Sequence, residues 1–331
     1  MKNMPAVIIT GASRGLGAAI ACWLGEAGAG VALIARCEEK LAQIAKEVKG
    51  LGGEPLICAT DISNPAAGHT AVEKTLNRFG RLDALVNNAG IVQPISSIAL
   101  TDPDAFRYNI EVNFMGPFYL IHAAISELRR TKGRIVNVSS GAANRPLENI
   151  SAYCATKAAL NHFTRVLAAE EPDVTSLTIR PGVVDTDMQA YIREQGPKSM
   201  SSNQIAYYID LKERGDLEPP EIPGRSIAWL ALHAPPHFSG RFLDYDDPRI
   251  SQAALEIFGD QKQGVKSALD SFSVRNQNIF AVRVKSRLDP LSPCASMSRH
   301  FIFQILRFCW LDRRPASSTF CLISNACRPD G

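Results

Sequence analysis

The chain has 331 residues, 46% of them hydrophobic, which suits one large α/β domain or two small ones with a substantial core. The net charge of +3 gives no case for a nucleic-acid partner, and the absence of any run of about 18 apolar residues argues against a membrane span. Charge is unevenly divided: residues 251–331 hold 11 basic and 6 acidic side chains, leaving 25 and 27 in the first 250, so the body of the protein is close to neutral.

Residues 6–10, Ala-Val-Ile-Ile-Thr, are an apolar, β-branched run that reads as a buried strand. It leads straight into Gly11-Ala12-Ser13-Arg14-Gly15-Leu16-Gly17, and a helical pattern follows over 16–27. Strand, glycine-rich turn and helix make the dinucleotide-binding arrangement: glycines let the backbone approach a pyrophosphate, and the helix N-terminus offers it free amides and a positive dipole end. The glycine spacing is G-x-x-x-G-x-G rather than G-x-G-x-x-G. Further strands are expected at 31–35, 55–59, 82–86, 134–138 and 174–179. Helices are expected at 38–48, 70–79, 106–130 (one long helix) and 152–170, with Leu41, Ile44, Ala45 and Val48 sharing a face of the first. This alternation gives the fold class, an α/β Rossmann-type doubly wound parallel sheet of about seven strands with helices on both faces. Ligands then bind at the carboxyl ends of the strands, where the glycine turn, Asn87-Asn88-Ala89-Gly90, Ser140 and residues 181–186 all fall.

Tyr153-Cys154-Ala155-Thr156-Lys157 places a tyrosine and a lysine on one face of a helix. An ammonium beside a phenol favours the phenolate and is expected to lower its pKa from the ordinary value of ~10. Such a pair can exchange a proton with a hydroxyl or a carbonyl. Ser140 lies thirteen positions earlier and is favoured by that spacing over its neighbour Ser139 as a hydrogen-bonding partner for the same oxygen.

Taken together these motifs resemble the short-chain dehydrogenase/reductase family over residues 4 to about 250. The stretch 10–17 matches its cofactor turn, Asn87-Asn88-Ala89-Gly90 the motif after the fourth strand, and Arg180-Pro181-Gly182-Val183-Val184-Asp185-Thr186 the segment that closes over the nicotinamide. Asn113, Ser140, Tyr153 and Lys157 match its catalytic tetrad in order and spacing. More narrowly, Val184-Asp185-Thr186-Asp187-Met188, Glu218-Pro219-Pro220-Glu221 and Gly240-Arg241-Phe242-Leu243-Asp244-Tyr245-Asp246-Asp247 are similar to the sepiapterin-reductase and benzil-reductase branch.

The resemblance implies reversible hydride transfer between a nicotinamide and the carbonyl or secondary alcohol of a small molecule. Tyr153 is then the proton donor, Ser140 the holder of the substrate oxygen, Lys157 a ligand of the nicotinamide ribose, and Asn113 the holder of a water linking Lys157 to solvent. Gly11, Ser13, Arg14, Gly15, Leu16, Gly17, Arg36, Asp61, Asn88, Val184 and Thr186 are expected to contact the cofactor together with Tyr153 and Lys157, Asp61 through the adenine amino group and Asn88 on the adenosine ribose side. An NAD enzyme carries an acid at the end of the second strand; here the strand ends Ile34-Ala35-Arg36, with no acid until Glu38. Arg36 and Arg14 suit a 2′-phosphate, so NADP (as NADPH) is the expected cofactor. The alternatives are a 3-oxoacyl or polyketide-type ketoreductase and a non-catalytic dinucleotide sensor. The expected partners are a small-molecule carbonyl substrate and further copies of the chain, as a homo-oligomer (dimer or tetramer), with no nucleic acid and no membrane.

Residues 187–222, polar and broken by Gly196-Pro197 and Pro219-Pro220, read as a substrate lid with a short helix near 203–214. Residues 1–250 are thus expected to form the NADP-binding catalytic domain. The extension 251–331 reads as poorly ordered or non-native sequence rather than a partner-binding segment. Cys22, Cys37, Cys58 and Cys154 have no C-x-x-C spacing, and Cys294, Cys309, Cys321 and Cys327 match no metal pattern. They read as free thiols and, with no secretory signal, the expected compartment is cytoplasmic, with no metal site.

Overall fold

A computed structural model describes residues 4–259. Seven parallel strands, β1 (Ala6–Thr10), β2 (Gly30–Ala35), β3 (Glu54–Ala59), β4 (Ala84–Asn87), β5 (Arg134–Val138), β6 (Thr175–Arg180) and β7 (Phe242–Asp244), lie in the order 3-2-1-4-5-6-7. The chain reverses direction of winding between β1 and β4, and the crevice there is the natural ligand site of an open α/β sheet. Six strands fall where the apolar runs place them. The seventh, three residues long, lies beyond any periodic signal.

β1 is buried along its whole length, and its side chains divide by parity. Val7 and Ile9 face a core with α1 (Gly15–Glu26), α2 (Glu38–Gly50) and two later helices; Ile8 faces α3 (Pro65–Phe79) and helices from the middle of the chain. Burying an isoleucine of this kind is worth roughly 1.5–3 kcal/mol, so a strand buried at every position is held from both sides.

The expected helix over 106–130 is interrupted. α4 (Pro103–Ile110) passes through a wide π turn at Glu111–Met115 into α5 (Gly116–Thr131). Pro117 cannot donate to the Asn113 carbonyl one turn back, and two tertiary contacts shape the break. Asn113, fully buried in the wide turn, hydrogen-bonds the backbone of Ile91. Gly116 lies where a Cβ would come 2.9 Å from Ile62 Cδ1. Turns of this kind inside helices are frequent at functional sites.

α6 (Ser151–Glu170) carries Tyr153 and Lys157. Beyond β6, α7 (Asp187–Gln195) and α8 (Ser202–Glu213) make up most of the expected lid, α8 closed at its N-terminus by a capping box between Ser201 and Gln204. α9 (Glu221–His233) packs on α1, and α10 (Pro248–Phe258) packs on α9. Ile250, Ala254 and Phe258 are buried, and the Phe258 ring meets Trp23 at 5.3 Å between centroids. The folded body therefore continues past residue 250, where the sequence places its end, because the apolar stripe of α10 completes the core over α1.

The remainder of the expected extension lies outside the described residues. Every described element is complete by Phe258, so a chain cut after Gln263 is expected to match the full chain in Tm and in turnover. Aggregation or lost activity at equal cofactor occupancy would show that the deleted residues belong to the working structure.

Candidate functional site

The glycine turn is fastened to the neighbouring strand ends by backbone and threonine. Ala12 N donates to Ile34 O (3.1 Å), and Thr10 Oγ1 accepts from Asn88 N and Ala89 N (both 2.9 Å). Asn88 Nδ2 donates to Thr10 O at 2.9 Å, so this side chain braces β1 against β4. Gly11 and Gly15 adopt positive φ (68° and 52°). A Cβ on Gly17 would sit 2.2 Å from Gly11 O, and only glycine lets α1 start so close to the strand. Arg14 at the N-cap makes no side-chain capping bond, and the first turn of α1 contains no acid. Its amides and dipole are left to an anion, so the cradle fits a dinucleotide pyrophosphate. Ser13 lies half-buried in the turn, and Leu16 is buried in the core behind it.

Around the cradle stand the other expected cofactor contacts. Asp61 follows β3, and its Oδ1 accepts from Ser63 N (3.0 Å) and Ser63 Oγ (2.8 Å). Thr186 lies over the turn, its Cγ2 3.1 Å from where a Cβ on Gly15 would be. Val184 is buried and pairs with Glu218: Glu218 N donates to Val183 O (2.8 Å) and Asp185 N to Glu218 O (2.9 Å), joining the two ends of the lid. Arg36 is exposed at the end of β2 and donates to Tyr108 Oη at 3.4 Å. Arg14 is not left free for a 2′-phosphate as the sequence suggests: it pairs at 2.9 Å with Asp187, the first residue of α7.

At the ends of β5 and α6 the structure gathers Ser140, Tyr153 and Lys157. Ser140 is extended, its hydroxyl accepts from Ala142 N (3.2 Å), and it hydrogen-bonds the Tyr153 phenol. Ser139 is buried, and its Oγ has no hydrogen-bond partner among the described residues, so the serine beside the phenol is Ser140. Lys157 is buried; its Nζ donates to Val138 O at 2.7 Å and lies 5.7 Å from the centroid of the Tyr153 ring. Burial pushes this ammonium down to about 8.

The phenol departs from the sequence expectation. Burial raises the Tyr153 pKa, with the Ser140 hydrogen bond pulling the other way. Lys157 is turned to the Val138 carbonyl rather than to the phenolic oxygen, and the apolar surroundings of Tyr153 decide the direction. At neutral pH the tyrosine therefore holds its proton, as a donor must.

Asn113 is bound on all sides: Oδ1 accepts from Ile91 N (2.8 Å), and Nδ2 donates to Ile91 O and Asn109 Oδ1 (both 2.8 Å). Its side chain holds protein backbone, and the wide turn around it changes the carbonyl pairing of the helix nearest Lys157; an added Cβ on Gly90 would meet Asn113 Oδ1 at 3.2 Å and Lys157 Nζ at 3.7 Å. Sequence reasoning missed Asn109, which donates to Gln93 O and Ile91 O and accepts from Thr156 Oγ1 (3.2 Å), tying α4 to α6. Its signal was available, since Asn109 and Asn113 are i, i+4 neighbours on one helix face. Met188, Tyr191 and Tyr208, in the segment expected to form the lid, were missed as well; with Val92, Ile150 and Ile205 they form an apolar cluster against Tyr153 and Cys154.

A glycine cradle at the switch point of a doubly wound sheet, with a serine, a tyrosine and a lysine at the next strand ends, defines a dinucleotide-dependent oxidoreductase. The comparisons agree, and the chain belongs to the short-chain dehydrogenase family, whose model matches residues 5–197. It is 35% identical over 249 residues to the uncharacterized oxidoreductase YIR035C of Saccharomyces cerevisiae, covering 74% of this chain and 97% of the relative. It is 33% identical over 231 residues to a benzil reductase ((S)-benzoin forming) of Bacillus cereus, covering 67% and 91%. Among solved structures, the KRED1-Pglu enzyme shares 40% identity with a TM-score of 0.69, over 72% of this chain and all of that one. Members of the family use NAD or NADP: a 3-oxoacyl-[acyl-carrier protein] reductase of Brucella melitensis, 25% identical, was solved with NAD, and an alcohol dehydrogenase of Thermococcus sibiricus, 30% identical, with 5-hydroxy-NADP. No helix among the described residues is long and apolar enough to cross a membrane.

Proposed function

We propose that the protein is an NADPH-dependent carbonyl reductase acting on a ketone or diketone of a small molecule, as a dimer or tetramer in the cytoplasm. The observation that carries this reading is the placement of Tyr153 beside Ser140 and the buried Lys157 at the strand ends that face the glycine cradle. The nicotinamide supplies the hydride when bound. Tyr153 gives its proton to the substrate oxygen as the carbonyl carbon is reduced, and Ser140 holds that oxygen in place. Lys157 carries positive charge to the nicotinamide ribose and the phenol, and Asn113 fixes the wide turn beside it. Asp61 and Asn88 face the adenosine end, Ser13 and the glycines the pyrophosphate, and Val184 and Thr186 the nicotinamide. Both Tyr153 and Lys157 are in place, which favours an enzyme over a dinucleotide sensor.

The test is consumption of NADPH and of NADH with aryl ketones, vicinal diketones and 3-oxoacyl thioesters. Turnover of the ketones or diketones with NADPH is expected. Turnover confined to the thioesters would move the protein to the 3-oxoacyl ketoreductases, and none with any carbonyl would overturn the enzyme reading.

The Lys157 ammonium sets an alkaline limb. Below about pH 8 it is charged, and above it the charge beside the phenol and ribose is lost, while the phenol, raised by burial, is still protonated. Reductive kcat/KM is therefore expected to be level through neutrality and to fall above about pH 8. A plateau reaching about pH 10, the ordinary range of lysine, would show that burial does not depress Lys157 in the working enzyme.

A further inference from the structure

The two arginines of the expected 2′-phosphate site are engaged differently. Arg14 is paired with a carboxylate, Asp187, and must exchange it before taking a phosphate. Arg36 has a neutral partner, Tyr108, and among the described residues makes no ion pair. A guanidinium held by a phenol keeps its full charge for an incoming dianion, and charge-assisted bonds to phosphate are the strong ones. The phenol accepts from Arg36 through its oxygen, which leaves its own O–H free to donate.

Tyr108 is also held where it can do this. Tyr108 is 41% exposed, so it is not a core residue. The helix carrying it, α4, is fixed at its N-terminus by Asp102, which accepts from Asp104 N and Ala105 N, and on its buried side by Asn109 bonded to the carbonyls of Ile91 and Gln93. The position of the phenol beside the end of β2 is set by buried hydrogen bonds rather than by the exposed contact itself.

We propose that Tyr108 and Arg36 together form the subsite for the 2′-phosphate, the phenol orienting the guanidinium and donating its own hydrogen bond to a phosphate oxygen. This rests on the NADPH reading. It makes Tyr108 a specificity-determining residue on an element remote in sequence from the glycine turn and the second strand.

The test uses ligands that differ only in that phosphate, 2′,5′-ADP and 5′-AMP, titrated calorimetrically into the full-length wild type, Tyr108→Phe, Tyr108→Gln and Arg36→Ala. The wild type is expected to prefer 2′,5′-ADP by about tenfold or more, and Tyr108→Phe to lose about fivefold of that preference with 5′-AMP affinity unmoved, the size expected for one solvent-exposed hydrogen bond. Tyr108→Gln keeps an acceptor for Arg36 and a donor for the phosphate, and is expected to recover part of the loss. The KM for NADPH is expected to rise in Tyr108→Phe by a similar factor, with that for NADH unchanged. If the wild type prefers 2′,5′-ADP, Arg36→Ala abolishes the preference and Tyr108→Phe leaves it intact, the subsite is overturned and the NADPH reading stands. If the wild type shows no preference, the NADPH reading falls, and the subsite with it.

Discussion

Replacing Tyr153 by phenylalanine is expected to reduce carbonyl turnover by about 10³-fold or more, near the upper part of the range for loss of a positioned general acid and equivalent to about 4 kcal/mol of barrier. The substitution removes one oxygen and leaves a ring of nearly the same shape in the apolar cluster formed with Met188, Tyr191 and Tyr208, so the lid and fold should be retained. Dissociation constants for NADPH, read from quenching of protein fluorescence, should change little, because the glycine cradle and Lys157 are untouched. The loss should therefore appear in kcat rather than in cofactor binding. A variant that keeps more than a small fraction of wild-type turnover would mean that another group supplies the proton, with the neighbouring Ser140 hydroxyl a candidate.

The site is legible in the sequence wherever its chemistry is carried by local spacing. The glycine turn, the Tyr-x-x-x-Lys pair and the serine at the end of the fifth strand each announce themselves within a few residues, and the strand ends then bring them together. What escapes is set by contacts between distant segments. Gly116-Pro117 marks a break in the helix locally, since a proline there cannot bond the carbonyl of Asn113, but the wide turn at Glu111–Met115 is shaped by Asn113 reaching Ile91 and by Gly116 closing on Ile62. β7 is too short for a period-two signal and exists because β6 offers it an edge, with Thr178 to Arg180 paired to Phe242 to Asp244. The helix Pro248–Phe258 lies where the recognisable motifs have ended, and it is fixed by burial against Trp23 and α9.

Direction of pKa shift is the least legible quantity of all. Tyrosine and lysine one helical turn apart suggest a lowered phenol, yet Tyr153 is partly buried against Met188, Tyr191 and Tyr208, which raises it, and the Val138 carbonyl takes the lysine. Both results follow from residues far from the motif.

Arg36→Asp is the substitution expected to move cofactor choice furthest. Among the described residues Arg36 makes no ion pair, and its partner is the neutral Tyr108, so its charge is available to a 2′-phosphate in full. Loss of one hydrogen-bonded charge costs roughly 1.5–3 kcal/mol, and the new carboxylate adds repulsion, so kcat/KM for NADPH should fall by about 10²-fold. The ribose 2′-hydroxyl of NADH gains an acceptor at the end of the second strand, the position an acid holds in NAD-binding sheets, and kcat/KM for NADH should rise a few-fold. Arg14 limits the switch: its exposed pair with Asp187 is of the kind worth less than about 1 kcal/mol, so it can be exchanged for phosphate and preserve some NADPH use. The measurement is kcat/KM for both cofactors in wild type and variant. A wild type that already prefers NADH, or a variant with the same ratio as wild type, would remove Arg36 from cofactor selection and the assignment of NADPH with it.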